Sequence, residues 1–182
     1  MDSHISSTSK AIGHADDSSA ALLKEVLGGD VGRNFDIDSL FVERLDSGEW
    51  RWVVYEFLKA DKIPPQNSHP NFYWKKNHRK FLSLWALIKT LRGSGHLADL
   101  ILFNYADNRT AAVKEMLVLS ISRDTKEIFR EASVRDGKVI PAIMRHVETK
   151  DTVMSFDAWK ERFRAFNRSK KGDTWEILDD VK

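Results

Sequence analysis

Apolar residues recur at helical spacing in three segments of the chain. A short helix is predicted over residues 19–27, because four aliphatic residues share one face there and two glycines follow. A long helix is predicted over residues 74–92, with an apolar stripe that begins at Phe81 and ends at Leu91. A final helix over residues 156–169 has an aromatic side, and Ser155 is suited to cap its N-terminus.

Residues of high strand propensity concentrate in four other segments. Residues 35–45 and 50–58 are rich in apolar and β-branched residues and predict the two strands of a hairpin. The sequence Asp46-Ser47-Gly48 between them suits a type I turn that is closed by a glycine in the left-handed conformation. Residues 97–105 and 112–121 predict two further strands.

Two stretches have no clear period. Residues 62–73 contain three prolines and predict a loop. An Asx/Pro turn that starts the helix is favoured around His69, and the alternatives are contact with nucleic acid or an acid–base role for His69. Residues 125–154 are ambiguous, and both a short helix near Glu127 and a strand near Val139 stay open as interpretations. Taken together, the elements predict an α/β (mixed α+β) domain in which helices flank a small central mixed sheet.

The length and composition limit the class of protein. A chain of 182 residues is long enough for one domain with a sizeable core, and 42% of its residues are hydrophobic. We predict a disordered N-terminal segment over residues 1–18, one domain over residues 19–171, and an acidic tail over residues 172–182. No uncharged apolar run reaches the roughly 18 residues of a membrane span, so we expect no membrane association. The chain has no cysteine, which excludes a thiolate zinc site and a cysteine nucleophile, and we predict an intracellular (cytoplasmic or nuclear) location.

The formal net charge of +2 conceals an uneven distribution of charge. Residues 33–61 contain seven acidic and four basic residues, whereas residues 62–98 contain no acidic residue at all. The final helix is basic again. An acid-free stretch in a chain with 27 acidic residues predicts an anion-binding surface.

Four of these cations lie at the start of the predicted long helix: Lys75, Lys76, Arg79 and Lys80. Free backbone N–H groups and the helix dipole favour phosphate at this position. Three aromatic residues precede the cations, and basic residues mixed with aromatic residues are typical of surfaces that bind nucleic acid. The alternative is a solvated helix face whose aromatic residues belong to the core.

Two carboxylates interrupt the apolar strands of the hairpin, namely Asp38 and Glu56. Burial of a carboxylate is costly unless a cation or hydrogen bonds compensate it. If the turn has three residues, Asp38 lies directly opposite Glu56, with about 4.5–5.5 Å between Cβ atoms. Two carboxylates this close repel each other, so we expect a divalent ion such as Mg²⁺ or Mn²⁺ between them. A two-residue turn would separate the pair onto opposite faces, and an ion pair with a core Arg or Lys is a further alternative.

This arrangement resembles the PD-(D/E)XK nuclease superfamily over roughly residues 20–105. Members share a helix, a short sheet with Asp on one strand and (Asp/Glu)-x-Lys on the next, and then a helix and another strand. The resemblance implies a restriction-endonuclease-like core in which Asp38 and Glu56 bind Mg²⁺ or Mn²⁺, and it suggests Glu25 of the first helix as a third ligand. Such an ion lowers the pKa of a bound water and stabilises the charge on the scissile phosphate.

The chain departs from the family pattern at the motif lysine. Leu58 occupies the position two residues after Glu56, and the lysine follows one position later, at Lys59. A bulge at the end of the strand would turn Lys59 back towards the site. Otherwise Lys80 or Lys76 would reach in from the helix to orient water or to neutralise phosphate charge.

Three functions are consistent with this pattern. The leading prediction is a Mg²⁺-dependent endonuclease that cleaves phosphodiester bonds of nucleic acid, with DNA favoured over RNA. The second is a non-catalytic nucleic-acid-binding or assembly subunit on the same fold. The third is an adaptor that binds another protein through its aromatic surface. Assembly into a homodimer or into a larger protein complex stays open.

Overall fold

The strand segments form a five-stranded sheet that lies between two helices. A computed structural model describes residues 37–60, 62–109 and 111–168. Its elements in chain order are β1 (Ser39–Arg44), β2 (Trp50–Lys59), α1 (Trp74–Gly93), β3 (Leu97–Tyr105), β4 (Val113–Ile121), β5 (Ile128–Arg130), β6 (Ser133–Arg135), β7 (Lys138–Ile140), β8 (Ile143–Met144), β9 (Val147–Met154) and α2 (Phe156–Arg168). The main sheet has the order β1-β2-β3-β4-β9, while β5 pairs with β8 and β6 pairs with β7. The predicted mixed α/β class is therefore confirmed.

The β1–β2 hairpin has the predicted three-residue turn. The N–H of Leu45 donates to the carbonyl of Glu49 at 2.8 Å, which closes the turn. Gly48 has a φ of +86°, in the left-handed region that favours glycine. A turn of this geometry sets the pairing of the two strands, and the first pair along β1 is Ser39 with Tyr55.

A crossover through α1 joins β2 to β3. The two strands are parallel, whereas the other pairs of the main sheet are antiparallel. Parallel strands require such a crossover, and the acid-free segment supplies it. The helix ends where Gly95 adopts a φ of +87° and the N–H of His96 donates to the carbonyl of Leu91 at 3.0 Å.

Each face of the sheet is covered by one helix. On one face, the buried stripe of α1, which includes Phe81, packs in a cluster with Val54 and Leu100. On the other face, the ring of Trp159 in α2 stacks on that of Phe103, with 4.1 Å between centroids. Ser155 caps α2 as predicted, because its Oγ accepts a hydrogen bond from the N–H of Ala158 at 3.1 Å.

The ambiguous segment over residues 125–154 consists of strands. Of its two open interpretations, the short helix near Glu127 is not formed, because residues 128–130 form β5, whereas the strand near Val139 is present as β7. The eight-residue edge strand β9 was not recognised, since its sequence VETKDTVM alternates charged and β-branched residues without a buried apolar face. The predicted helix over residues 19–27, and with it Glu25, lies outside the described residues.

Within the described ranges, none of the helices combines the length and the hydrophobicity that crossing a membrane requires.

The left-handed backbone of Gly48 predicts a specific sensitivity to substitution. Gly48→Ala should lower the free energy of unfolding by about 1–2 kcal/mol, because a Cβ disfavours this conformation even where open space surrounds it. Gly93→Ala, at a helical position that also has open space, is the matched control and should be neutral or stabilising by up to about 1 kcal/mol. Urea denaturation of both variants measures the difference, and equal effects would contradict the assigned turn.

Candidate active site

The hairpin brings two carboxylates together at one end of the sheet. Ser39, the first residue of β1, pairs with Tyr55 of β2. Continued by one residue, this register places Asp38 opposite Glu56, as the three-residue turn predicts. Asp38 lies just before β1, and its Oδ2 accepts a hydrogen bond from the N–H of Phe57 at 2.7 Å. This bond fixes the exposed Asp38 carboxylate against the backbone of the residue that follows Glu56.

Glu56 is buried on the face of β2 that α1 covers. The residue is 3% exposed. Its Oε1 lies 2.6 Å from the Nζ of Lys80, which reaches across from the second turn of α1. Its Oε2 is also buried and has no hydrogen-bond partner among the described residues. One carboxylate oxygen is thus neutralised by Lys80, while the other has an unmet demand for a proton, a donor or a cation.

The surroundings change the acidity of Glu56. Burial raises the pKa of this carboxyl to about 7, and the ammonium of Lys80 opposes the rise. The charge of Asp38 and a hydrogen bond with its carboxyl group raise the pKa of Glu56 further. Two ionised carboxylates have no proton to share, so this hydrogen bond exists only when one of them is protonated. The Glu56 carboxyl therefore holds its proton up to about neutral pH, and in that state it shares a hydrogen bond with Asp38.

Two of the three lysines proposed for the motif position, Lys59 and Lys80, have different partners. The Nζ of Lys59 lies 2.8 Å from the Oδ2 of Asp107, and both side chains are well exposed. Among the contacts of Glu56, the cation is Lys80 of α1. The geometry thus matches the alternative in which a helix lysine approaches the carboxylate, and it places the ammonium of Lys59 on the neighbouring loop.

A basic cleft of about 590 Å³ opens beside Glu56 between the end of β2 and the start of α1. Glu56 is the acidic residue in its described lining. The four basic residues of the lining are Lys59, Lys62, Lys76 and Lys80. Phe72 and Tyr73 supply aromatic surface from the loop that precedes α1. The cleft therefore combines cations with aromatic rings, which suits a ligand that carries both phosphate groups and bases.

The remaining predicted cations are on the outside of the helix. Lys75, Lys76 and Arg79 are exposed in the first turns of α1, and Lys76 is the one of these three that lines the cleft. The first turn of α1 contains no acidic residue. The three exposed cations form a positive surface on the first turns of α1, and Lys76 joins this surface to the cleft.

The loop before α1 has a structural role, as predicted for His69. The Nδ1 of His69 accepts a hydrogen bond from the N–H of Asn71 at 3.2 Å, and its ring stacks on Phe129. Burial lowers the pKa of His69 to about 4. The side chain of Asn71 then joins the loop to β9, because its Oδ1 accepts from the N–H groups of His146 and Val147. These contacts of the buried histidine hold the loop in place.

A further buried carboxylate was missed by the sequence analysis. Glu115 in β4 accepts a hydrogen bond from the hydroxyl of Tyr55 at 2.7 Å and lies 2.9 Å from the guanidinium of Arg162. Burial raises the pKa of the Tyr55 hydroxyl well above its ordinary value. The signal that singled out Glu56, an acid within an apolar strand, also applied to Glu115. Both oxygens of Glu115 have partners, so this carboxylate links α2 to the sheet.

The donor set at Glu56 is compatible with a divalent ion. A buried oxygen without a partner, next to a second carboxylate, provides the oxygen ligands that Mg²⁺ and Mn²⁺ prefer. Residues 37–60, 62–109 and 111–168 contain no group of three or more His, Asp or Glu side chains placed to hold a metal. A complete ligand set thus requires a further group, and Glu25 stays a prediction.

The described residues thus form a mixed α/β domain in which Glu56 and Lys80 line a basic, aromatic cleft, whereas Asp38 lines a separate cavity with Phe57 and Trp159. No protein-family model, curated protein or solved structure matches this chain.

The raised pKa of Glu56 predicts a pH-dependent stability. Since its native pKa of about 7 exceeds the ordinary 4.5, the folded state binds more protons than the unfolded state between these pH values. Ionisation of Glu56 should therefore lower the free energy of unfolding by about 3 kcal/mol as the pH rises through this window. Glu56→Gln should remove this dependence.

Urea denaturation at pH 4.5 and at pH 8 measures the effect as the difference between the wild type and Glu56→Gln. Contributions from other groups, including His69, cancel in this difference. Glu131→Gln, at an exposed glutamate, is the control and should show no pH-dependent difference. A constant difference between wild type and Glu56→Gln would contradict the raised pKa.

Proposed function

We propose that this protein is a metal-dependent nuclease that cleaves phosphodiester bonds of nucleic acid. The observation that carries the proposal is the buried carboxyl of Glu56 beside Asp38 and the basic cleft, whose Oε2 has no hydrogen-bond partner among the described residues when both carboxyl groups are ionised. A buried carboxylate oxygen without a partner is costly, and a cation bound there in place of the shared proton would compensate it. The crossover from β2 through α1 to β3, and the order of Asp38 and Glu56 on successive strands, support the same proposal.

Asp38 and Glu56 would hold the ion. When bound, Mg²⁺ or Mn²⁺ would lower the pKa of a coordinated water and stabilise charge on the phosphate. Glu56 must lose its proton to become a ligand, and Lys80 assists because its ammonium favours the ionised carboxylate. Metal affinity should therefore rise with pH up to about pH 7, where the carboxyl of Glu56 titrates.

Lys80 brings a positive charge to the point where Glu56 meets the basic cleft. Its ammonium lies against Glu56 and also lines the basic cleft. A phosphate group that enters the cleft would meet this ammonium together with Lys62 and Lys76. In a partly buried site, a fixed cation stabilises developing negative charge more strongly than it does in water. Lys80 would thus neutralise the phosphate, and Tyr73 and Phe72 would offer their rings to the bases.

A second candidate function is a nucleic-acid-binding subunit without catalytic activity. The observation that favours it is the direct ion pair of Glu56 with Lys80, which already compensates the buried charge without a metal ion. The described residues also supply two candidate metal ligands rather than three. In this case the cleft would bind phosphate groups through its lysines, and divalent ions would have no effect on affinity.

A nuclease assay of the wild type and of variants in the site separates the two candidate functions. The wild type should cleave labelled DNA or RNA with Mg²⁺ or Mn²⁺, and EDTA should abolish cleavage. Glu56→Gln and Asp38→Asn should each remove activity, and Lys80→Met should lower the rate by about 10²–10³-fold, as loss of one electrostatic stabiliser does. Lys59→Met should lose less activity than Lys80→Met, because the Lys59 ammonium is paired with Asp107 although its side chain lines the cleft. Lys160→Met, at a cation of α2 that is paired with Asp157, is the control and should retain full activity.

Activity that survives Glu56→Gln would contradict the site assignment. A larger loss in Lys59→Met than in Lys80→Met would return the motif role to Lys59. Binding without cleavage under all metal conditions would favour the second candidate.

Binding through the positive surface should depend on salt. Fluorescence anisotropy in EDTA should show an affinity for nucleic acid that falls linearly with the logarithm of salt concentration. Lys76→Ala and Arg79→Ala should each reduce the slope by about one if each side chain neutralises one phosphate. Lys160→Ala, at a cation of α2 that is paired with Asp157, is the control and should leave the slope unchanged. Absence of binding at low salt would contradict both candidate functions.

A further inference from the structure

A small hairpin in the segment between β4 and β9 has an unusual surface. Strands β6 and β7 pair so that Val134 faces Val139 and Arg135 faces Lys138. The turn between them consists of Asp136 and Gly137, with φ values of 50° and 70°. Positive φ at both central residues is the signature of a type I′ turn, which matches the twist of two-stranded hairpins. We call residues 133–140 the arm.

The arm exposes an apolar pair. Val134 and Val139 are 71% and 75% exposed, the highest values among the exposed large hydrophobic residues in the described part of the chain. Because they are directly opposed, their side chains form one continuous apolar surface rather than two scattered contacts. Exposed aliphatic surface at the end of a protruding ribbon is a feature of binding elements, since the fold itself gains nothing from it.

In the same hairpin, two cations lie directly opposite each other next to the turn. Arg135 and Lys138 form the last pair of the ladder, and like charges that are directly opposite destabilise a hairpin. The guanidinium of Arg135 lies 3.8 Å from the carboxylate of Asp136, but both side chains are highly exposed, so this contact contributes little. An anionic partner would relieve the repulsion between the two cations and contact both of them at once.

The base of the arm adjoins the wall of the basic cleft. Phe129 of β5 contacts Phe72, with 5.5 Å between ring centroids. The guanidinium of Arg130 lies 5.2 Å from the centroid of the same Phe72 ring. Phe72 in turn lines the cleft beside Glu56. A polyanion in the cleft would therefore pass close to Arg130 and to the strands from which the arm extends.

We infer that the arm inserts into a groove of double-stranded nucleic acid, where Arg135 and Lys138 contact phosphate groups and the two valines make apolar contacts in the groove. A two-stranded ribbon fits such a groove, and apolar side chains flanked by cations are used by proteins that wedge into it. The inference rests on the proposed function for its ligand class. The cations of the cleft, Arg130 beside Phe72 and the two cations of the arm favour nucleic acid over a lipid surface, because an extended polyanion offers phosphate groups to separate clusters of cations.

The test is the binding of the full chain to a fluorescein-labelled DNA duplex, measured by anisotropy in EDTA over a salt series. Arg135→Ala/Lys138→Ala should reduce the slope of log affinity against log salt by about two. Val134→Thr/Val139→Thr keeps the β-branched shape, so it should leave the slope unchanged and weaken binding by about 3- to 10-fold. Lys160→Ala/Arg164→Ala, at two cations of α2 that are each paired with an acid, is the matched control.

Unchanged duplex binding in both arm variants, with a wild type that binds, overturns the inference and leaves the nuclease proposal intact. Weaker binding in the arm variants, with a wild type that fails to cleave, supports the arm and overturns the nuclease proposal. A wild type that binds no duplex overturns the inference. Binding of the wild type to phosphatidylserine vesicles that is lost in the arm variants, together with unchanged duplex binding, overturns it in favour of a lipid surface. Circular dichroism and urea denaturation confirm that each variant is folded.

Discussion

The register of the first hairpin is the constraint on which the rest of the molecule depends. Gly48 in the left-handed conformation closes a three-residue turn, and this turn sets which residues of β1 share a face with those of β2. A shift of one residue would move Phe41 away from the face where it packs with Val53 and Tyr55. The same shift would place Asp38 on the opposite face of the sheet from Glu56. The turn glycine therefore supports both the packing of β1 and the position of the two carboxylates.

The register also explains why a carboxylate can be kept inside the domain. Glu56 points at the helix that carries the cations, and the side chain of Lys80 is long enough to meet it without entering the core completely. The parallel crossover brings the start of α1 back over the end of β2, so the same connection delivers the lysine and the wall of the cleft. Charge and topology are thus coupled in this part of the fold, since the acid-free segment is also the crossover.

The sequence was sufficient to predict those elements of the fold that depend on local residue type and spacing. The turn glycine, the long helix and the strands β2 to β4 follow from residue type and spacing. The segment between β4 and β9 was read less well, because its strands are two or three residues long and no periodic signal can develop over that length. The sequence offered Lys59, Lys76 and Lys80 as candidates for the motif lysine. Only the packing of α1 on the sheet shows that Lys80 is the one that lies against Glu56. Long-range contacts such as Glu115 with Arg162 depend on which face each helix covers.

The side chain of Asn71 has a mechanical consequence. It accepts hydrogen bonds from two N–H groups at the start of β9 and donates one to the carbonyl of Val147 at 3.0 Å. Its neighbour Phe72 contacts β5 on one side and lines the cleft on the other. The loop before α1 and the base of the small strands are thereby clamped together by one amide. The hydrogen bonds of Asn71 thus tie the position of the aromatic wall of the cleft to the position of β9 and the small strands.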